Sequence, residues 1–222
     1  MNLEALLNQN LAVCAPIFAP PLTLSNCVGM DLSSSSKEFA GLAEDELDRA
    51  ISHKLTAAGA IAGIGGYLEN RSLYQHTELF QGDAERCIHI GVDVFMPAGT
   101  VIHAPFDARV QSFANRQVCG DYGPVIILRH ELDGFEFHSL YGHLTEASLD
   151  GLSRGKAFNA GEPLAEIGAR PANGNWPPHL HFQLIQDLQG YHGDYPGVVR
   201  PADVEFFTAN CPDPTAVLMS AG

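Results

Sequence analysis

The sequence predicts a mainly β protein: an antiparallel β unit behind an irregular and helical N-terminal extension, closed by a C-terminal wrap. Two observations carry this. From about residue 86, seven short strand-like segments ("IHIGVDVF", "TVIHAPF", "ARVQSFA", "GPVIILRH", "FEFHSLYGHL", "PLAEIGA", "HLHFQLIQ") alternate with Gly, Pro and Asp punctuation. Strands joined by turns, without intervening helical runs, argue for antiparallel pairing. The composition, 45% hydrophobic and 17% charged over 222 residues, is enough for one packed core and excludes a disordered chain. The expected organisation is an extension over 1–85, a core over 86–186 and a wrap over 187–222.

In chain order, residues 1–35 mix apolar runs with Pro16, Pro20, Pro21 and four serines, and read as an irregular arm or short strands. "SSKEFAGLAEDELDRAISHKLTAAG" reads as helix. Ser35 with Glu38 fits a capping box, but Glu44 to Glu46 equally opens a first turn, and the strongest stretch is about 43–58. Leu47, Ile51 and Leu55 share a face, and Gly59 is a natural stop. "GIGGYLENRSLYQ" follows as a turn-rich link, and "HGDYPGVVRPADVEFFTANCPDP" is expected to fold back over the sheet.

The net charge of −14 repels phosphate backbones and anionic lipid surfaces, so neither nucleic acid nor a membrane is an expected partner. The longest apolar runs fall far short of the ~20 residues that cross a bilayer. The first residues lack a basic n-region and carry Glu4, so they are expected to belong to the mature fold. Five scattered cysteines without CxxC spacing suggest reduced thiols. Together these give a cytoplasmic expectation, with periplasm or secretion as the alternative.

Chemistry concentrates in three places. In "HIGVD", His89 and Asp93 stand four apart, on one face if the segment is an extended strand, with Gly91 between them leaving room for a group to approach. In "PHLHF", His179 and His181 alternate onto one face. "YGHL" adds His143. Catalytic zinc usually takes three protein N/O ligands, and His89, Asp93 and one histidine of the HLH pair meet that requirement. On the same parity, Tyr141 would share the face of His143, which makes it a candidate groove residue, while His138 would face away. His130 reads as structural.

In this order, "HIGVD", "YGHL" and "PHLHF" resemble the signature of the lysostaphin/LytM/LasA-type zinc endopeptidases, metallopeptidase family twenty-three. "PAGTVIHAPFDARV", "DYGPVIILRH" and "GEPLAEIG" match between them, over about residues 86–186. The resemblance implies an antiparallel β-sheet groove (the duplicated hybrid motif fold) and one Zn2+ per chain. His89, Asp93 and His181 would be the zinc ligands, and His179 and His143 the catalytic pair, with the general base open between them. It implies hydrolysis of an amide bond in a peptide or muropeptide substrate. "ARPANGNWPP" replaces the family's glycine-rich approach to HLH, making Trp176 a candidate rim residue, and Gln183 stands where an acidic residue is common. Residues 45–85 resemble, more weakly, the segment preceding this domain in large intracellular aminotransferase fusion proteins. A metal-binding module of the same fold without activity is the rival reading, and a non-haem iron site of two histidines and a carboxylate is a third.

Overall fold

The structure is a computed structural model describing residues 2–72 and 86–220. Its strands are β1 (Cys27–Met30), β2 (Ala62–Gly65), β3 (Ile88–His89), β4 (Val92–Phe95), β5 (Val101–His103), β6 (Ala108–Arg116), β7 (Gly123–Leu132), β8 (Phe135–Gly142), β9 (Ala157–Phe158), β10 (Pro163–Glu166), β11 (His179–Ile185) and β12 (Val198–Val199). Eight of them form one sheet in the order β1-β2-β4-β11-β8-β7-β6-β9, antiparallel except for the β1–β2 pair. β5 with β10 and β3 with β12 form two short ribbons. All seven segments read as strands carry strands, the first of them two, β3 and β4.

The long hairpin β7–β8 turns on Asp133 and Gly134, both at positive φ (51° and 76°), the geometry an Asp-Gly turn supplies at little cost. β11 is buried on both faces. Leu180, Phe182 and Leu184 point into the larger core with Val92, Val94, Phe137 and Tyr141, whereas His179, His181 and Gln183 occupy the opposite face. Buried polar groups need partners, so this alternation marks one face as packing and the other as something else. Beyond Gln183, the polar face passes into a second cluster in which Leu140 and Ile185 meet Tyr195, Val199 and Cys211 of the C-terminal wrap. Tyr195, Val199 and Cys211 thus pack on this face of the sheet.

The N-terminal part differs from expectation in two ways. Residues 3–10 form a helix, α1 (Leu3–Asn10), capped by Asn2, whose Oδ1 accepts from Ala5 N at 2.9 Å. Leu3, Leu6 and Leu7 bury into the main core beside Cys14, Ile17 and Phe18. Nor is the start of the turn-rich link a turn: Ala62–Gly65 is β2, which pairs with β4 and brings β1 onto the same sheet. The rest of that link from residue 73 lies outside the described residues. Helix α2 (Glu44–Ala58) starts at the second of the two candidate openings, where Glu46 accepts from Ala43 N at 3.1 Å. It ends at Gly59, φ 59°. The Ser35–Glu38 box does not form; Ser36 Oγ instead accepts from Glu38 N and Phe39 N in a turn, and Gly41 at φ 75° separates that turn from α2. Leu47 and Ile51 pack with Met30, Leu32 and Phe39 on Phe95 of β4, each full burial contributing roughly 1.5–3 kcal/mol.

His130 is structural, as expected. Nδ1 donates to the Asp107 carbonyl (3.1 Å) and Nε2 lies 2.6 Å from Ser139 Oγ, itself 3.0 Å from Tyr141 Oη. Burial pushes the ring down to about 4. A folded pKa below the unfolded ~6.5 means the unfolded chain binds more protons between those values. Stability is thus held above pH ~6.5 and lost as pH falls toward 4, by about 3 kcal/mol from this ring alone. In urea unfolding of chelated protein, His130→Asn should be less stable at pH 7 yet lose less between pH 6.5 and 4. Parallel pH profiles for the two proteins would contradict this.

Candidate metal centre

The polar face of β11 lies between β4 and the end of β8. His181 is in register with Asp93 on one side and Gly142 on the other, and His179 pairs with Phe95. His89 reaches the same place differently from expectation. "HIGVD" is not one strand: β3 pairs with β12, the chain bends at Ile90–Gly91, and β4 then joins the sheet. The two side chains converge through that bend. A β-carbon on Gly91 would sit 2.6 Å from the His181 ring, so only glycine leaves space for the imidazole.

The donor atoms of His89, Asp93 and His181 all lie within 4.8 Å of one another, the only such group among the described residues. His89 Nε2 is 2.9 Å from His181 Nδ1, and each is 3.2 Å from Asp93 Oδ1. Two imidazoles and a carboxylate, all buried, make the N/N/O donor set that a divalent metal accepts. The remaining atoms are held from behind. His89 Nδ1 faces the Gly66 carbonyl at 3.3 Å, and His181 Nε2 faces Gln183 Oε1 at 3.1 Å. Gln183 Nε2 donates to the Pro196 carbonyl, which fixes the amide so that its oxygen meets the imidazole. Arg71 binds Asp93 Oδ2 at 2.5 Å and Glu69 through Nε and Nη2, leaving Oδ1 to the inner set. Such outer partners set ligand tautomer and direction.

His143 and His179 stand beside this set with ring centres 4.2 Å apart. Nδ1 of His143 donates to the Asn173 carbonyl (2.8 Å) and Nδ1 of His179 to the Pro177 carbonyl (2.6 Å). A carbonyl only accepts, so Nδ1 carries the hydrogen in both rings and Nε2 is left bare. That of His179 is 3.8 Å from Asp93 Oδ1. Burial, and then its imidazole neighbours, hold His143 well below the usual range; burial also lowers His179. Burial followed by the Arg71 charge pushes His89 down to about 3. For Asp93, burial alone would raise the carboxyl, but His89 and Arg71 against it prevail and hold it well below the ordinary range. At neutral pH the centre is three neutral imidazoles (His89, His143, His179) around one carboxylate.

Tyr141 is a correction. It is fully buried in the core, with Phe182 at 5.3 Å between ring centres, and it lines no groove. The parity argument assumed extended backbone from 141 to 143. Strand β8 ends at Gly142, and His143 sits at φ 64°, a left-handed turn that swings its ring onto the face opposite Tyr141. For the same reason His138, in register with Ile185, is on the sheet face of the metal centre and not away from it. Trp176 does lie at the rim, partly buried, its ring 6.5 Å from that of His143.

Three contributors carried no signal strong enough to single out. Arg71 lies in the link, where a lone arginine has no periodicity to mark it. Tyr122 packs between the His143 and His181 rings (5.7 and 5.2 Å) and donates to the Tyr195 carbonyl. Asn173 fixes the loop, bonding Gly168 and Trp176 carbonyls through Nδ2. The centre opens into a cavity of about 300 Å³.

The fold and site define a buried two-histidine, one-carboxylate centre on an antiparallel sheet. Residues 87–193 match the model of Peptidase family M23, a span that contains all five site residues. An uncharacterized metalloprotease of Haemophilus influenzae is 31% identical over 96 residues, 43% of this chain and 18% of that protein. The chain thus spans less than a fifth of that relative's length. Among solved structures, the solution structure of lysostaphin is 25% identical over 61% of this chain and 45% of its own, with a TM-score of 0.41. A zinc-containing peptidase from Vibrio cholerae is 24% identical over 44% and 27%, with a TM-score of 0.35.

Proposed function

We propose that this protein is a zinc-dependent metallopeptidase that hydrolyses an amide bond in a peptide. The observation that carries the reading is the convergence of His89, Asp93 and His181 beside two imidazoles whose Nε2 atoms are bare. The match of residues 87–193 to a peptidase family supports it. A zinc ion held by the three ligands would lower the pKa of water toward ~7 and polarise the scissile carbonyl. The chain's own residues manage the proton. His179, nearer to Asp93, takes it from the attacking water through Nε2. His143, tilted against it on the Trp176 side, faces the oxyanion and the leaving amine. Arg71 keeps Asp93 ionised and aimed, and Gln183 keeps the His181 hydrogen on Nε2.

The inactive-module reading gains nothing from the site, since each donor and each bare nitrogen that the chemistry needs is present. Protein purified without added metal should carry near one zinc per chain, and it should cleave members of a mixed peptide and muropeptide library only without chelator. Iron in place of zinc would favour the iron reading, and zinc with no cleavage would favour the module. Gln183→Leu removes the acceptor behind His181 and should weaken zinc binding about 10–100-fold, read by competition with a chelating dye. Unchanged affinity would leave Gln183 a packing residue. A cytoplasmic place of action belongs to the same proposal; the five unpaired thiols suit a reducing compartment, and fractionation of the native host tests it.

A further inference from the structure

Residues 87–193, the stretch that matches the peptidase family, supply all five site residues, yet groups that support them bond to backbone past its end. Three successive carbonyls at 195–197 each accept from a different element of the centre. Tyr122 Oη donates to the Tyr195 carbonyl at 3.0 Å, Gln183 Nε2 to that of Pro196 at 3.2 Å, and Ile90 N to that of Gly197 at 2.9 Å. Each donor stands next to the chemistry. Gln183 Oε1 backs His181 Nε2, and Ile90 begins the bend that follows His89. Tyr122 sets its ring against both His143 and His181, and its own carbonyl accepts from His143 N at 2.8 Å. One short segment therefore holds supports of both ligand histidines and of one proton-handling ring.

The segment is itself anchored. Tyr195 is buried with Val199 and Cys211 in the second cluster, and its Oη accepts from Asn210 Nδ2 at 2.8 Å. Directly after it, β12 pairs with β3, placing Val198 opposite His89. This matters because His89 stands outside the eight-stranded sheet that carries Asp93 and His181. The approach to the centre is close. A β-carbon on Gly197 would run into Tyr122 Oη and fall 3.1 Å from His181 Cε1. A working constellation tolerates misplacement of only ~0.5 Å, and groups behind an imidazole set its direction. By meeting Tyr122, Gln183 and Ile90 within three residues, the segment fixes these elements relative to one another.

We propose that residues 195–197 act as a clamp on the metal centre, with Tyr122 and Gly197 as positioning residues for His181 and His143; this rests on the zinc peptidase reading above. The test uses the full chain. Tyr122→Phe keeps the ring and removes only the hydroxyl that donates to the Tyr195 carbonyl. Gly197→Ala places a methyl against that hydroxyl and the His181 ring. Each should weaken zinc binding by the folded chain about ten-fold, in competition with a chelating dye. Each should also shift the visible absorption of the cobalt-substituted protein, which reports ligand geometry, and lower kcat more than it raises KM. A merely structural role would lower the melting temperature of the chelated protein and leave zinc affinity and the cobalt spectrum unmoved. If Gly197→Ala does not fold, Tyr122→Phe decides. Wild-type zinc affinity and an unshifted cobalt spectrum in Tyr122→Phe would overturn the inference and leave the peptidase reading standing. Weakened zinc binding in the variants, with no peptide cleaved by the wild type, would sustain the clamp and bring down the peptidase reading instead.

Discussion

Replacing His181 with alanine should leave the protein unable to hold zinc and lower its turnover by more than about 10³-fold. The side chain supplies one of three donors, and the two that remain, His89 Nε2 and Asp93 Oδ1, cannot complete a site whose protein ligands normally number three. Loss of an outer partner typically costs ~10–100-fold in metal affinity, and loss of a ligand itself must cost more. The charge stabilisation that the metal supplies is worth several kcal/mol, and each ~1.4 kcal/mol is a factor of ten in rate. A readout independent of activity is available. Metal that binds only the folded chain raises its melting temperature, so zinc should stabilise the wild type and leave His181→Ala unmoved. His89→Ala should behave alike. A His181→Ala protein that still bound zinc one-to-one would refute the ligand set.

The strands of the core were legible because their apolar residues alternate and turn residues bound them; the Asp133–Gly134 hairpin is the plainest case. The approximate bounds of α2 were legible from Leu47, Ile51 and Leu55 and from Gly59. Helix α1 was also written in the sequence, as Asn2 ahead of Leu3, Leu6 and Leu7, but eight residues before a proline-rich stretch make a short signal. β2 was not legible. "AGIG" has little strand character of its own, and only the exposed edge of β4 makes a strand of it. At the site, residue spacing brought His89, Asp93, His179 and His181 together, yet for one pair the geometric premise was wrong. His89 and Asp93 meet through a bend at Gly91. Parity failed outright where the backbone left the extended region: φ 64° at His143 exchanged the faces expected for Tyr141 and His138. Periodicity carries across a strand and stops where the strand stops. The groups that orient the site, Arg71, Tyr122 and Asn173, are long-range partners, and nothing local to each position announces them.

His179→Ala and His143→Ala should separate binding from chemistry: each protein should retain about one zinc per chain, and each should lose turnover by about 10²–10⁴-fold. Neither ring belongs to the group of converging donors, and each is held by a backbone carbonyl, Pro177 for His179 and Asn173 for His143. Removing either ring leaves His89, Asp93 and His181 with their own outer partners, so the metal stays. What disappears is a bare Nε2 close to where the attacking water must lose its proton. The loss should fall on kcat more than on KM, because proton transfer belongs to the transition state and contributes little to holding the peptide. The two rings are 4.2 Å apart and serve one proton path, so the double variant should be little worse than the poorer single one. Fully additive losses would mean two independent roles. Turnover within a few-fold of wild type in both single variants, with zinc retained, would remove the histidine pair from the mechanism and require another group to carry the proton.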